Sequence, residues 1–145
     1  MPSRSLFVSI VASVAIITGC ASVPMAPPDA DAKARSFQTD PSMANIYIYR
    51  NETFGGANTM PILIDGLPVG VTGPKTYIFK QVDPGFHAIT SKTETDSLAT
   101  IDAKAGMNYF LWQEVKMGAL MARSQLHIVD DATGRAGVSE CKLVR

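Results

Sequence analysis

Short runs of alternating apolar and polar residues, each cut off by a turn-forming dipeptide, fill most of this chain and leave few folds open to it. From Asn45 the period is two: Ile46 and Ile48 alternate with Tyr47 and Tyr49, the signature of a strand with two different faces. A loop with Gly55-Gly56 follows, and then a strand over Met60–Ile64 that Asp65-Gly66 stops. Asp-Gly is a strong hairpin dipeptide, because both central residues of the tight turn need positive φ. The chain returns over Leu67–Val71, breaks at Gly73-Pro74, and runs again over Thr76–Val82 to the turn Asp83-Pro84-Gly85. Phe86–Lys92, Leu98–Ala103, the aromatic Met107–Val115 and Gln125–Val129 continue the series. Asp130–Glu140 reads as a helical turn or a loop before a closing strand at Lys142–Val144. About seven short strands with regular turns predict an all-β domain, a single antiparallel β-sandwich.

Composition narrows the rest. The 13 Lys+Arg balance 13 Asp+Glu, and 46% of residues are hydrophobic. A neutral chain offers no basic stripe for nucleic acid, and this apolar share suits a folded core. The length of 145 residues allows one ordinary domain.

Before that domain the chain reads as an address. Leu6–Ile17 is apolar apart from Ser9 and Ser13. Such a run is too short for a spanning helix, which takes about 20 residues, and has the proportions of a secretory signal core. It ends in Ile17-Thr18-Gly19-Cys20. This resembles the lipobox of bacterial lipoproteins, where small residues precede a cysteine that is acylated and becomes the new N-terminus; Ile17 stands where Leu is more common. The alternative is an ordinary signal peptide with a chance cysteine. The resemblance implies 1–19 as signal peptide, Cys20 as the lipidated residue carrying palmitate-type chains, and the lipid bilayer as first partner. Ala21, rather than Asp, follows the cysteine. In a Gram-negative envelope that implies the outer membrane, with the domain facing the periplasm. The remaining chain would carry 12 Lys+Arg against 13 Asp+Glu, since Arg4 leaves with the signal.

Residues 20–40 are rich in Pro, Ala and Asp, with Pro24, Pro27 and Pro28 close together. Prolines at this density predict an extended tether, with a short helix over Asp29–Phe37 as the alternative. The domain proper is placed at 41–145.

Ile62-Leu63-Ile64-Asp65-Gly66-Leu67-Pro68-Val69-Gly70 through Asp83-Pro84-Gly85-Phe86-His87 resembles the PEGA-type β module. With Ile46–Arg50 ahead and Tyr109-Phe110 and the Leu126 strand behind, the domain is similar to small bacterial lipoproteins that carry only a domain-of-unknown-function label. The resemblance implies a sandwich of immunoglobulin-like or transthyretin-like kind, and it brings no catalytic residues. Each Gly and Pro in the motif serves a turn, so the motif identifies a fold more than an activity.

The chemistry-bearing residues are sparse. His87 and His127 are the only histidines and, with Cys141, show no metal-ligand spacing; no metal and no cofactor are expected. Gly-x-Ser-x-Gly, His-Glu-x-x-His and phosphate-loop motifs are absent. Glu94, Asp96, Asp102 and Glu114 read as a solvated sheet face with lysine partners. Once Cys20 is acylated, Cys141 has no intramolecular partner and is expected to be buried against the sandwich, with an intermolecular bridge as the alternative. Two features are candidate partner contacts. Tyr47, Tyr49 and Tyr109 lie among strand aromatics that alternate faces, with core packing as the alternative for that group. Met117, Leu120 and Met121 lie in an apolar connection between Lys116 and Arg123. Exposed, they would offer an adaptable contact; folding down over the sandwich end is the equal alternative. The function predicted is a non-catalytic binding or scaffold module for an envelope protein or cell-wall glycan. An enzyme or assembly cofactor acting on envelope polymers is the alternative.

Overall fold

The computed structural model describes residues 22–145; Cys20 and residues 1–19, expected above to be a signal peptide, lie outside them. The strands are β1 (Ala44–Arg50), β2 (Met60–Ile64), β3 (Leu67–Thr72), β4 (Thr76–Val82), β5 (Gly85–Ser91), β6 (Ser97–Ala103), β7 (Asn108–Lys116), β8 (Arg123–Val129) and β9 (Lys142–Leu143), with helices α1 (Pro28–Ala34) and α2 (Asp131–Ser139). They form a five-stranded sheet of order β8-β7-β1-β4-β9 and a four-stranded sheet of order β3-β2-β5-β6. The predicted sandwich is thus the observed architecture. Its pairing is mixed, because β1 lies parallel to β7 and β4 parallel to β9. Neither pair is joined by a hairpin, so neither could be read from turn dipeptides.

The hairpins follow their turn chemistry. Asp65 and Gly66 both take positive φ, 52° and 80°, as a type I′ turn requires. Between the sheets, Ile46, Ile48, Ile62, Ile64, Ile78, Ile89, Ile101 and Leu111 form the main core. β-branched residues suit this pleated interior. At one end of the sandwich the core is polar but satisfied. Gln113 Nε2 donates to Ser91 Oγ at 2.7 Å, Ser91 and Ser124 hydroxyls meet at 2.6 Å, and Thr72 Oγ1 donates to Gln113 Oε1 at 2.5 Å.

A second core lies on the other face of the five-stranded sheet. Tyr47, Tyr49, Tyr77 and Phe110 pack there against Ala34, Val138, Cys141 and Leu143. Helix α2 is longer than the single turn expected. Asp130 caps it by accepting from Thr133 N at 2.9 Å, and Gly134 and Gly137 face the sheet, buried. All seven residues of β1 are buried, because sandwich core covers one face and helices cover the other.

The predicted tether is corrected by the same layer. Val23 is buried in the inter-sheet core, Met25 bridges to Val144, and Ala26 N donates to Leu143 O at 2.9 Å. Pro28 starts α1 at the position where a missing N–H costs nothing. Asp31 then fastens the helix, accepting from Arg35 Nη2 at 2.6 Å, Tyr77 Oη at 2.7 Å and Leu143 N at 3.1 Å. Burial would raise its pKa, but these donors outweigh it and hold the carboxyl below its ordinary range. The prolines make the chain extended, as expected, yet it is extended against the sheet edge rather than free.

Candidate functional site

Tyr47 and Tyr49 are not a contact surface. Both are buried beneath the helices. Tyr47 stacks on Phe110 with ring centroids 4.9 Å apart and donates its hydroxyl to Ala34 O at 2.9 Å. Desolvation pushes both phenols up to about 12. The strand alternation was correct, but α1 and α2 cover the face it turned outward. Tyr109 is half-buried, and its hydroxyl accepts from Lys104 N at 2.8 Å and donates to Asp102 O at 3.1 Å. It fixes the β6–β7 turn. Cys20 lies outside the described residues.

Met117, Leu120 and Met121 stand out from the β7–β8 connection, Met117 81% and Leu120 93% exposed. This apolar loop is held in place. Glu94 accepts from Ala119 N at 2.9 Å, Leu120 N at 3.0 Å and Arg123 Nε at 2.8 Å. The Leu120 amide is foremost in holding the Glu94 carboxyl below its usual range. A Cβ on Gly118 would lie 1.8 Å from Met121 O, so only glycine allows so tight a loop. Beside it, Phe54 is exposed on the 51–59 loop, and a shallow depression of about 340 Å³ runs between Phe54, Asn58, Met117, Leu120 and Met121.

The second loop is anchored from within. Arg50 is fully buried, and its guanidinium donates to Asn58 O at 2.8 Å, Gly55 O at 2.9 Å and Phe54 O at 3.0 Å. Desolvation lowers its pKa. Two buried or bridging charges, Arg50 and Glu94, thereby fix both loops of the apolar patch. Sequence reading found Met117, Leu120 and Met121, missed Phe54, and read Glu94 only as part of a solvated face rather than as the anchor of this loop. Phe54 carried a weak signal, an aromatic residue before Gly-Gly in a loop. Glu94 carried none, because its amide partners lie 25 and 26 residues away.

The titratable residues are occupied locally. Lys92, Lys104 and Lys116 pair with Asp96, Asp102 and Glu114, matching the solvated face expected of these carboxylates. His127 Nε2 lies 2.7 Å from Glu114 Oε2 and its ring stacks 5.1 Å from Trp112. Cys141 is buried, with Sγ 3.3 Å from Gly137 O, and desolvation pushes its thiol up to about 12. Among the described residues, no three His, Cys, Asp or Glu side chains gather as a metal site would need. Among them too, no helix is long and apolar enough to cross a membrane.

His87 joins two hairpin turns. Nδ1 lies 2.6 Å from Asp65 Oδ2 and Nε2 lies 2.7 Å from Asp83 O. Burial lowers the imidazole pKa, but the Asp83 carbonyl and the Asp65 carboxylate outweigh it and raise the value overall. The Ala88 amide first, and His87 second, lower that of Asp65. A raised histidine contributes stability that is complete below its unfolded pKa of about 6.5 and is lost as pH climbs through the folded value. A lowered aspartate contributes stability that is complete above about 3.9 and is lost as pH falls through the folded value. The turns are therefore expected to be tightest in the mildly acidic range between. An NMR titration should show the His87 midpoint dropping in Asp65→Asn; an unmoved midpoint would show that the pair contributes nothing.

Residues 40–125 match the family described as "Protein of unknown function (DUF2846)". An uncharacterised protein of Haemophilus influenzae is 28% identical over 137 residues, covering 93% of this chain and 82% of that protein. No solved structure matches. The matched region takes in β1 through β7 and the loop bearing Met117, Leu120 and Met121, and the chain belongs to the DUF2846 family.

Proposed function

We propose that this protein is a membrane-anchored envelope lipoprotein that works as a non-catalytic docking module, held to the bilayer through acylated Cys20 and recognising an envelope protein through its 117–121 loop. The observation that carries the reading is the locked apolar loop. Three large side chains exposed together on a mobile loop would collapse or associate loosely. Here Glu94 fixes the loop backbone and Gly118 permits its turn, so the ordering cost of binding is already met. Two methionines and a leucine beside Phe54 suit an adaptable protein contact, since thioethers repack around varied apolar shapes. The anchor is supported by the apolar segment Leu6–Ile17 and the run Ile17-Thr18-Gly19-Cys20. Several acyl chains at one residue hold a protein stably, at about 0.8 kcal/mol per buried CH₂.

In vivo photo-crosslinking tests both halves together. A photoreactive residue at Ala119 should yield a discrete protein adduct that Leu120→Asp with Met121→Asp removes, while unfolding stability stays within about 0.5 kcal/mol. Cys20→Ser should abolish palmitate labelling and move the protein to the soluble fraction. An adduct indifferent to the two aspartates would overturn the docking loop, and palmitate labelling that survives Cys20→Ser would overturn the anchor.

A further inference from the structure

We propose that the domain sits directly on the bilayer, with the β2–β3, β4–β5 and β6–β7 hairpin tips facing the lipid and Leu67 and Phe86 entering its interface. This deepens the lipoprotein reading and rests on it. The first argument is reach. Only Ala21 and Ser22 lie between Cys20 and the buried Val23. One residue spans at most about 3.6 Å, so the Cys20 backbone, which carries the acyl chains, must lie within about 10 Å of Val23. The packed segment leaves no tether to lift the domain away.

The second argument is direction. Arg145 N donates to Pro24 O at 3.0 Å, and Met25 pairs antiparallel with Val144. β9 runs parallel to β4, from the Thr76 end of that strand towards Val82. The N-terminal segment, followed backwards from Met25, therefore leads towards the end where β4 turns into β5. Gly70 lies against Arg145 O on the β3 side, and three residues further along that edge is Leu67. Ser22 thus leaves the domain beside β3, pointing to the end that carries these hairpin tips.

The third argument is what the tips present. Phe86 is 77% exposed, Leu67 70% and Met107 52%, one large apolar side chain at each of three adjoining turns. His87 ties the first two turns together through Asp65 and Asp83. Among the charges nearby, Asp102 pairs with Lys104 and Asp65 meets His87, while Asp83 in the β4–β5 turn is exposed, so the tips carry no basic excess. Contact is therefore apolar rather than electrostatic, and it requires no anionic lipid. The 117–121 loop lies at the opposite end of the sandwich, after β7 has run its length alongside β1. Seating on the hairpin tips turns that loop away from the membrane, towards a periplasmic partner.

The test uses the lipidated full chain in phosphatidylcholine vesicles containing a diazirine acyl-chain probe, with flotation to establish anchoring and peptide mass spectrometry to map adducts. The peptides bearing Leu67 and Phe86 should carry at least about tenfold more adduct than the peptide bearing Met117–Met121. Leu67→Ser with Phe86→Ser should still float, and should lose adduct at Met107 as the tips lift. A floating protein labelled equally at both ends, or mainly at 117–121, would overturn the seating and leave the anchor standing. A wild-type protein that fails to float would overturn the anchor, and the seating with it.

Discussion

Replacing Gly137 with alanine is expected to lower stability by about 1–3 kcal/mol, as overpacking of a filled core does. In an exposed helix the same change would add about 1 kcal/mol, because glycine is the poorer helix former. The sign is set by the sheet below. A Cβ on Gly137 would lie 2.1 Å from Tyr49 Cε2, and one on Gly134 would lie 2.1 Å from Phe110 Cγ. Neither ring can retreat. Tyr49 and Phe110 are buried, and Phe110 is already stacked on Tyr47 and edge-on to Phe37 at 5.8 Å. The helix must rise off the sheet instead, opening the core that buries Cys141. Urea unfolding of Gly137→Ala, and of the double variant with Gly134→Ala, should give progressively lower midpoints, and Cys141 should become reactive to thiol reagents. A midpoint above wild type would show that α2 does not lie on the rings.

Arg50→Met should cost roughly 3 kcal/mol: three part-buried carbonyls lose a charged donor whose bonds contribute about 1.5–3 each, and relief of the buried charge offsets part of that loss. Methionine fills much of the volume, so the loss reports the guanidinium rather than a cavity. Lysine should rescue little. Its ammonium keeps the charge, but a point donor cannot reproduce the planar fork that reaches Phe54 O, Gly55 O and Asn58 O together. Hydrogen exchange should quicken first at Asn58 N, whose bond to Gly55 O closes the same loop at 2.9 Å. Near-wild-type stability in Arg50→Met would mean that water replaces the guanidinium without loss. Because Phe54 rides on this loop, the variant should also weaken the apolar patch beside Leu120.

These two expectations show where local sequence stops being informative. Gly134 and Gly137 in a run that begins Asp-Ala-Thr-Gly read as loop or one turn, because glycine disfavours helix in isolation. Their purpose is close approach to Phe110 and Tyr49, residues 24 and 88 positions earlier. In the same way Arg50 follows Tyr49 at the end of a strand and reads as its polar terminus. Its partners lie in the next loop, where no pattern marks them.

The sequence alone determined the strands, their hairpins and the sandwich class. Period-two alternation and turn dipeptides such as Asp65-Gly66 are local physics, decided by sterics within a few residues. It also set the Ile17–Cys20 run and marked Met117, Leu120 and Met121 as candidates, while their exposure was left to the tertiary structure. Tertiary structure decided which faces are covered. Tyr47 and Tyr49, candidate contacts with core packing as the alternative, are buried, and the 20–40 stretch read as tether is packed over its described part, with Val23 and Ala34 buried. Alternation tells that a strand has two faces but not what lies over each. That depends on whether distant helices gain more by burying apolar area than they lose in chain entropy. Here α1 and α2 do, so aromatic faces that looked available became a second core, and the exposed apolar surface moved to the loops and hairpin tips.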